Sequence, residues 1–179
     1  MGVGRSTADD SRAAARAAAQ AAAQGAEPKL FIAFNGVTHD PAEVLAGLRE
    51  VAAGVPVVGC TTKGEIGPGG PLDGSVTVTA IGGPGFTVST MVAEGVAGRQ
   101  RQAGTDVAQC VDDLAGRPHQ VMMLLTDGLV RDQEAILRGV YAVVGAGVPL
   151  FGGAAADGWQ LTGTYLYGEI GRASCRERV

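Results

Sequence analysis

The chain has 179 residues, of which 46% are hydrophobic and 18% are charged, and this composition is typical of one globular domain with a sizeable core rather than of a disordered segment. The formal net charge is −4, and the lack of a basic stripe or an aromatic–arginine platform argues against nucleic acid as a partner. No apolar run is long enough to cross a membrane, and the N-terminal segment, which contains Arg12 and Arg16, is too polar for a signal peptide, so we predict a cytoplasmic protein without a membrane partner.

The chain begins with an alanine-rich segment that predicts a helix. Alanine has the highest helix propensity of the common residues, and it dominates the stretch "RAAARAAAQAAAQ". Ser6 or Thr7 is the expected N-cap, because a side-chain oxygen there can accept a hydrogen bond from the first turn. We predict that residues 1–27 form this helix and pack on an α/β domain that extends over residues 28–171.

Strands and helices alternate through this domain. Two continuous apolar runs, "KLFIAF" and "QVMMLLT", are typical of strands that are buried on both faces. An amphipathic helix follows each run, over Pro41–Ala53 in the first case and Gln133–Gly145 in the second. Asp40 and Asp132 are the expected N-caps of these helices. A second apolar strand, "VPVVG" or "VPLFG", then completes each unit. The predicted fold class is α/β, with a mixed β-sheet and flanking helices.

The sequence between these two strand–helix–strand units predicts a β-hairpin and a further helix. The runs "SVTVTAIGG" and "FTVSTMVA" flank "GGPG", a pattern typical of two strands joined by a tight turn. The stretch "RQAGTDVAQCVDDLAG" places Val107, Val111 and Leu114 at helical spacing. A last strand is predicted in "TGTYLYGEI", after the second unit.

The two strand–helix–strand units are similar to each other in sequence. A shift of 92 residues aligns the identical pairs Gly36/Gly128, Asp40/Asp132, Leu45/Leu137 and Gly47/Gly139. A shift of 93 then aligns "AGVPVVG" with "AGVPLFG". We therefore predict an internal duplication in which both units follow the same backbone path.

The duplication places four loops at one edge of the predicted sheet, where ligands of open α/β sheets bind. The loops are "NGVTHD" and "GCTTKGE" in the first unit, and "DGLVRD" and "GGAAADG" in the second. Either these loops form a small-molecule site, or their glycines only satisfy backbone geometry. The candidate ligand-binding residues are Cys60, Thr61, Thr62, Glu65, Asp127, Gly128, Gly152, Gly153 and Asp157.

Several of these residues have two possible roles. Glu65 either binds a ligand ammonium or braces its own loop. The hydroxyls of Thr61 and Thr62 either donate to a ligand carboxylate or make local backbone hydrogen bonds. Asp127 binds an amine or cation, or belongs to an Asp-Gly turn. Cys60 is either a small buried residue or the nucleophile of an enzyme that uses Glu65 or Asp127 as acid–base, and no histidine lies near it in the sequence.

No motif of the sequence predicts a metal or a nucleotide. The three cysteines are too widely spaced for a zinc site or a disulfide framework. No strand is followed by G-x-G-x-x-G, and "GCTTKGE" lacks the Gly-Lys-Ser/Thr ending of a P-loop. The default expectation is therefore a chain without a cofactor.

The last residues, 172–179, do not continue the pattern of the domain. Arginine and cysteine follow "TYLYGEIG" without apolar periodicity. We interpret this segment as a non-native, adaptor-derived tail, and we expect the natural protein to continue after residue 171.

Three stretches carry a family resemblance that covers nearly the whole chain up to about Ile170. They are "VPVVGCTTKGEI", "LLTDGLVRDQEAILRGVYAVVGAGVPLFGGAAADG" and "TYLY". They resemble the N-terminal part of the FIST domain, a bacterial sensory module that also occurs with F-box proteins in eukaryotes. The resemblance implies an intracellular sensor of small ligands such as amino acids, which acts in signal transduction without catalysis of its own.

The resemblance also implies partners and one alternative cofactor. A FIST C-terminal domain, which this chain lacks, and a separate output protein are the expected partners. Some family members bind haem and respond to nitric oxide. If this chain is such a haem sensor, His39 is the candidate axial ligand; otherwise His39 is expected to be a surface histidine beside Asp40.

Overall fold

The computed structural model describes residues 1–25, 27–168 and 172–174 of the chain. The helices are α1 (Ser11–Ala23), α2 (Pro41–Ala52), α3 (Gln100–Ala108) and α4 (Gln133–Val144), and a 3-10 helix, Gln109–Leu114, continues α3. The strands are β1 (Gly2–Ser6), β2 (Pro28–Gly36), β3 (Val57–Thr62), β4 (Glu65–Gly67), β5 (Gly70–Leu72), β6 (Val76–Gly82), β7 (Met122–Asp127), β8 (Leu150–Ala155), β9 (Leu166–Gly168) and β10 (Arg172–Ser174).

The largest sheet is mixed. Its strand order is β1-β6-β2-β3-β9-β10, in which β2 and β3 are parallel and the other neighbours are antiparallel. β7 and β8 form a separate parallel pair, and β4 and β5 form a short antiparallel pair. The predicted α/β fold class, with a mixed sheet and flanking helices, is confirmed.

The N-terminus differs from its prediction, because a strand precedes the helix. Residues Gly2–Ser6 form β1, so neither Ser6 nor Thr7 caps α1, and those two N-cap predictions are wrong. Asp10 is the N-cap, and its Oδ1 accepts a hydrogen bond of 2.6 Å from the backbone N–H of Ala13. The strand lies so close to the helix that a Cβ on Gly4 would be 2.1 Å from the carbonyl oxygen of Ala18.

Two hydrogen bonds at equivalent positions show that the two strand–helix–strand units follow a similar path. The backbone N–H of Phe31 donates to the carbonyl of Pro56 over 2.9 Å, and that of Met122 donates to the carbonyl of Pro149 over the same distance. Both bonds join the first strand of a unit to the residue before its second strand. The predicted caps Asp40 and Asp132 are also confirmed, since each accepts hydrogen bonds from the first turn of its helix.

A glycine in the second strand of each unit has the same conformation and the same neighbour. Gly59 has φ 154° and Gly152 has φ 151°, a region that residues with a side chain rarely adopt. A Cβ on Gly59 would lie 1.8 Å from the carbonyl oxygen of Ala33, and a Cβ on Gly152 would lie 1.8 Å from that of Leu124. The glycine at this position is therefore required by close packing of the two parallel strands.

The hairpin predicted for "SVTVTAIGG" and "FTVSTMVA" is not observed. β6 covers most of the first run, but it pairs with β1 along one edge and with β2 along the other. Neither edge is left for a second hairpin arm, and residues 86–93 contain no strand. The hairpin that does lie between the two units is formed by β4 and β5, a few residues earlier.

The hydrophobic core belongs mainly to the first unit. It lies where α1 and α2 pack on β2, β3 and β6, and it contains Ala14, Ala15, Ala18, Ala19, Ala22, Phe31, Ala33, Val44, Leu45, Leu48, Ala52, Val57, Val76, Val78, Ala80 and Tyr167. In the second unit every residue of β7 is only half-buried. The first unit is therefore enclosed by its neighbours to a greater extent than the second.

Candidate functional site

The loops that follow β3 and β8 meet at one edge, which we call the rim. The backbone N–H of Ala156 donates to the carbonyl of Thr61 over 2.9 Å, and the N–H of Thr61 donates to the carbonyl of Tyr165 over 3.0 Å. Gly158 lies against Val37, from the loop that follows β2. The segment 156–165 therefore links loops of both units, at the carboxyl ends of the strands where the sequence predicted a site.

Glu65 is buried, and the carboxylate is used within its own loop. One oxygen accepts a hydrogen bond from the hydroxyl of Thr62. The other accepts from the backbone N–H of Ser75 over 2.8 Å and from its hydroxyl over 2.9 Å. Of the two roles that the sequence left open for Glu65, these contacts match the bracing role.

The two threonines of the loop also have partners in the protein. The hydroxyl oxygen of Thr61, a residue that is 2% exposed, accepts a hydrogen bond of 3.1 Å from the backbone N–H of Tyr165. The hydroxyl of Thr62 donates to Glu65 and lies 3.4 Å from the carbonyl oxygen of Asn35. Both side chains therefore hold the rim together in this structure.

Asp127 is half-buried at the end of β7 and is partly unpaired. Its Oδ1 accepts hydrogen bonds from the hydroxyl of Thr164 over 2.6 Å and from the backbone N–H of Leu129 over 2.8 Å. No hydrogen bond within the described residues involves Oδ2 of this carboxylate. Asp127 also lines one end of an apolar groove of about 570 Å³. A carboxylate oxygen at this position can accept from a ligand cation.

Asp157 organises the loop that it begins. Its Oδ2 accepts from the backbone N–H groups of Thr162, over 2.7 Å, and Gly163, over 3.3 Å. Loss of water contact alone would raise the pKa of Asp157, but these backbone donors outweigh it and hold the pKa below the usual range. The loop exposes Trp159 and Leu161, which are 84% and 73% exposed and both have positive φ.

Cys60 lies behind the rim and is 2% exposed. Burial raises the pKa of its thiol to about 12, so the thiolate form that a nucleophile needs is scarce near neutral pH. Asn35 and Tyr167 are buried as well, and the Tyr167 hydroxyl donates to Asn35 Oδ1 over 2.7 Å. Burial is also the main reason why the pKa of Tyr167 lies above its usual range.

The three glycines among the candidates have different surroundings. A Cβ on Gly128 would lie 2.2 Å from the carbonyl oxygen of Ala155, whereas a Cβ on Gly153 would meet no atom within 4 Å. Gly152 takes part in the strand contact described above. Gly128 and Gly152 therefore serve backbone packing, while Gly153 leaves open space beside β8.

His39 is not the surface histidine that the sequence predicted, since it is 5% exposed. Its Nε2 lies 3.2 Å from the carbonyl oxygen of Gly74, so Nε2 carries the proton and donates. Its Nδ1 lies 3.2 Å from the hydroxyl of Ser11, which in turn accepts from the backbone N–H of Asp40. Both ring nitrogens have partners, so the surroundings of His39 do not fit an axial ligand of haem.

Several residues that organise the rim were not among the candidates predicted from the sequence: Asn35, Ser75, Thr164, Tyr165 and Tyr167. For Asn35 a signal was available, because the repeat aligns it with Asp127. Thr164, Tyr165 and Tyr167 lie in the stretch "TYLY", which carries part of the family resemblance, but each binds a residue far away along the chain, so no role in the site was predicted for them.

The family model of the FIST N domain matches residues 29–175. No curated protein and no solved structure matches the chain. No helix within the described part of the chain is long and apolar enough to cross a membrane. FIST domains are sensor-type domains of signal transduction. Because the family model covers most of the residues, the chain belongs to the FIST family, as its motifs predicted.

Proposed function

We propose that this chain is a small-ligand-binding sensor domain of the FIST type, which acts in cytoplasmic signal transduction without catalysis of its own. The observation that carries the proposal is the meeting of loops from both units at the rim, together with the unpaired carboxylate oxygen of Asp127. The tight hydrogen bonding of Glu65, Thr61 and Asp157 supports a preformed site, since these residues fix the loops that surround Asp127.

The ligand class follows from the groups that remain free. Hydrogen bonds within the protein already occupy both oxygens of Glu65, the hydroxyl proton of Thr62 and the hydroxyl oxygen of Thr61. Asp127 Oδ2 is the acceptor that remains for a ligand. The proposed ligand is therefore a small molecule with an ammonium group, such as an amino acid or an amine.

The absence of catalysis is supported by the state of Cys60. Its raised pKa keeps the thiol protonated. No titratable side chain forms a hydrogen bond with its sulfur among the described residues, so no general base is in position to activate it. The proposed output is a change in contact with a FIST C-terminal domain and a separate signalling protein.

The test is a ligand screen with a matched pair of variants. Amino acids and alkylamines are screened by thermal shift, with alcohols of equal size as ligand controls. The affinity of each hit is then measured by calorimetry in the wild type, in Asp127→Asn and in Glu134→Gln. The amide of the Asp127→Asn variant keeps an oxygen for Thr164 and Leu129 but loses the charge, whereas the exposed Glu134 controls for net charge.

We expect Asp127→Asn to weaken binding by roughly 1.5–3 kcal/mol, the range for a hydrogen bond to a charged group, and Glu134→Gln to leave it unchanged. Equal affinity in wild type and Asp127→Asn would remove Asp127 from the site. A wild type that binds alcohols as well as amines would refute the ligand class.

A further inference from the structure

The first strands of the two units differ in the number of strands that pair with them. β2 pairs with β3 along one edge and with β6 along the other. β7 pairs with β8 along one edge, and no other strand of the described residues pairs with β7. Among the described residues, no strand therefore stands beside β7 as β6 stands beside β2.

The apolar groove borders β7, the strand whose second edge has no partner among the described residues. Its walls come from β7, from α3 and its 3-10 extension, from the face of β2, and from the segment 85–96. Wall residues that represent these four elements are Met122, Leu124, Val107, Leu114, Ile32 and Met91. Every residue of β7 is half-buried, as expected for a strand that is covered on one side only.

The segment 85–96 occupies the place of β1 in the order of elements. β1 precedes α1 and forms the far neighbour of β6. The segment 85–96 precedes α3 in the same way, and it lines the groove opposite β7. In the largest sheet β6 thus lies between β1 and β2, and in the second half of the chain the corresponding parts, the segment 85–96 and β7, both line the groove.

The sequence also repeats a short segment that precedes β5 and β6 in the first half of the chain. Gly-Glu-Ile-Gly occurs at residues 64–67, and again at residues 168–171. After the first occurrence the chain forms β5 and then returns as β6, with Val76, Val78 and Ala80 fully buried. After the second occurrence, Arg172–Ser174 pairs with β9 instead, so β10 does not fill the groove.

We propose that the free edge of β7 is a binding site for an antiparallel β-strand with the pattern of β6. The occupant is an extended polypeptide segment with apolar residues at alternate positions. Its backbone pairs with β7, and its apolar side chains fill the groove over α3. Such strand addition obtains affinity from the main-chain hydrogen bonds and specificity from the alternate side chains.

The pairing can be tested at single amides. Because the N–H of Met122 points to β8, and because successive residues of a strand alternate in direction, the N–H groups of Met123 and Leu125 point to the free edge. In the unaltered chain these two amides should exchange with solvent faster than that of Leu124, which points to β8.

The occupant is supplied by inserting a second copy of residues 68–83, which contain β5 and β6, between Gly171 and Arg172. Hydrogen exchange is followed by NMR, and binding of an apolar dye is followed by fluorescence. We expect the amides of Met123 and Leu125 to exchange at least about tenfold more slowly and the dye to be excluded. The matched control carries the same insertion with Val→Asp at the copies of Val76 and Val78.

Three outcomes would overturn the proposal. The first is equal exchange of the edge amides in the insertion variant and its Val→Asp control. The second is protection of these amides in the unaltered chain together with a dimeric mass, which would identify a second copy as the occupant. The third is loss of dye binding without slower exchange, which would indicate an apolar small-molecule site instead of strand pairing.

Discussion

The two strand–helix–strand units share a backbone plan and differ in how completely their neighbours enclose them. Leu45 and Leu137 are aligned by the repeat, yet Leu45 is 4% exposed and Leu137 is 40% exposed. Both units have an aspartate at the helix N-cap and a glycine in the second strand, although Asp40 has φ −68° and Asp132 has φ 58°. Burial differs because it depends on neighbouring strands such as β6, which has no counterpart beside β7 among the described residues.

The strongest test of this comparison is the same truncation in both units. Leu45→Ala should lower the free energy of unfolding by about 2–5 kcal/mol, the usual cost for a buried leucine. Leu137→Ala should cost about 1 kcal/mol or less, since much of its side chain already contacts water. Urea denaturation of both variants measures the two losses. Equal losses would show that the second unit is as well enclosed as the first.

A smaller difference in stability is expected when one donor is removed from each of two hydrogen-bonded pairs, Tyr167–Asn35 and Thr164–Asp127. Tyr167→Phe removes the only side-chain donor to the buried Asn35 Oδ1 among the described residues, and should cost about 1–3 kcal/mol. Thr164→Val removes one donor to Asp127 Oδ1, but Leu129 still donates to that oxygen. The loss should therefore be smaller than for Tyr167→Phe. Thermal denaturation provides the comparison, and a larger loss for Thr164→Val would contradict it.

The smallest expected effect is a dependence of folding stability on pH. It comes from Cys60 in the first unit, because the aligned residue of the second unit is Gly153, which has no thiol. The unfolded thiol has a pKa of about 8.5, and burial raises the pKa of the folded one to about 12. Between these values the folded chain keeps a proton that the unfolded chain loses. The stabilisation is therefore complete below the unfolded pKa and is lost as pH rises toward the folded pKa.

Replacement of Cys60 by Ala should remove this dependence. Between about pH 8 and 9.5, the unfolding free energy of the wild type should fall by about 1 kcal/mol more than that of Cys60→Ala. Cys110→Ala is the matched control, because Cys110 is half-buried and burial also raises the pKa of its thiol. A wild type and a Cys60→Ala variant with parallel pH profiles would show that the thiol is accessible to water.

Elements with a local signal could be predicted from the sequence. The helices that begin at Pro41 and Gln133 have a capping aspartate and an apolar face, and they were predicted to within one residue of their ends. β1 was missed because "GVGRS" has little apolar character, and its strand exists only through pairing with β6. The predicted hairpin failed for a related reason: the turn signal at "GGPG" is local, but the partner of β6 is decided by distant β1 and β2.

The position of the rim was easier to predict than the roles of its side chains. The repeat was sufficient to place the loops after β3 and β8 at one edge. The role of Glu65 depends on Ser75. The role of Thr61 depends on Tyr165, which lies more than a hundred residues away along the chain. A carboxylate that binds a ligand and one that braces a loop look the same in sequence, because only the three-dimensional partners distinguish them.

The pairing of β1 with β6 has a consequence for synthesis of the chain. Ser6 pairs with Val76, so the first strand is synthesised seventy residues before its partner. At about 5–20 residues per second this interval is roughly 4–14 s. During that time α1 can form by itself, but β1 has no strand to pair with. The N-terminal residues should therefore be the last part of the first unit to gain protection during translation, and the part most accessible to chaperones.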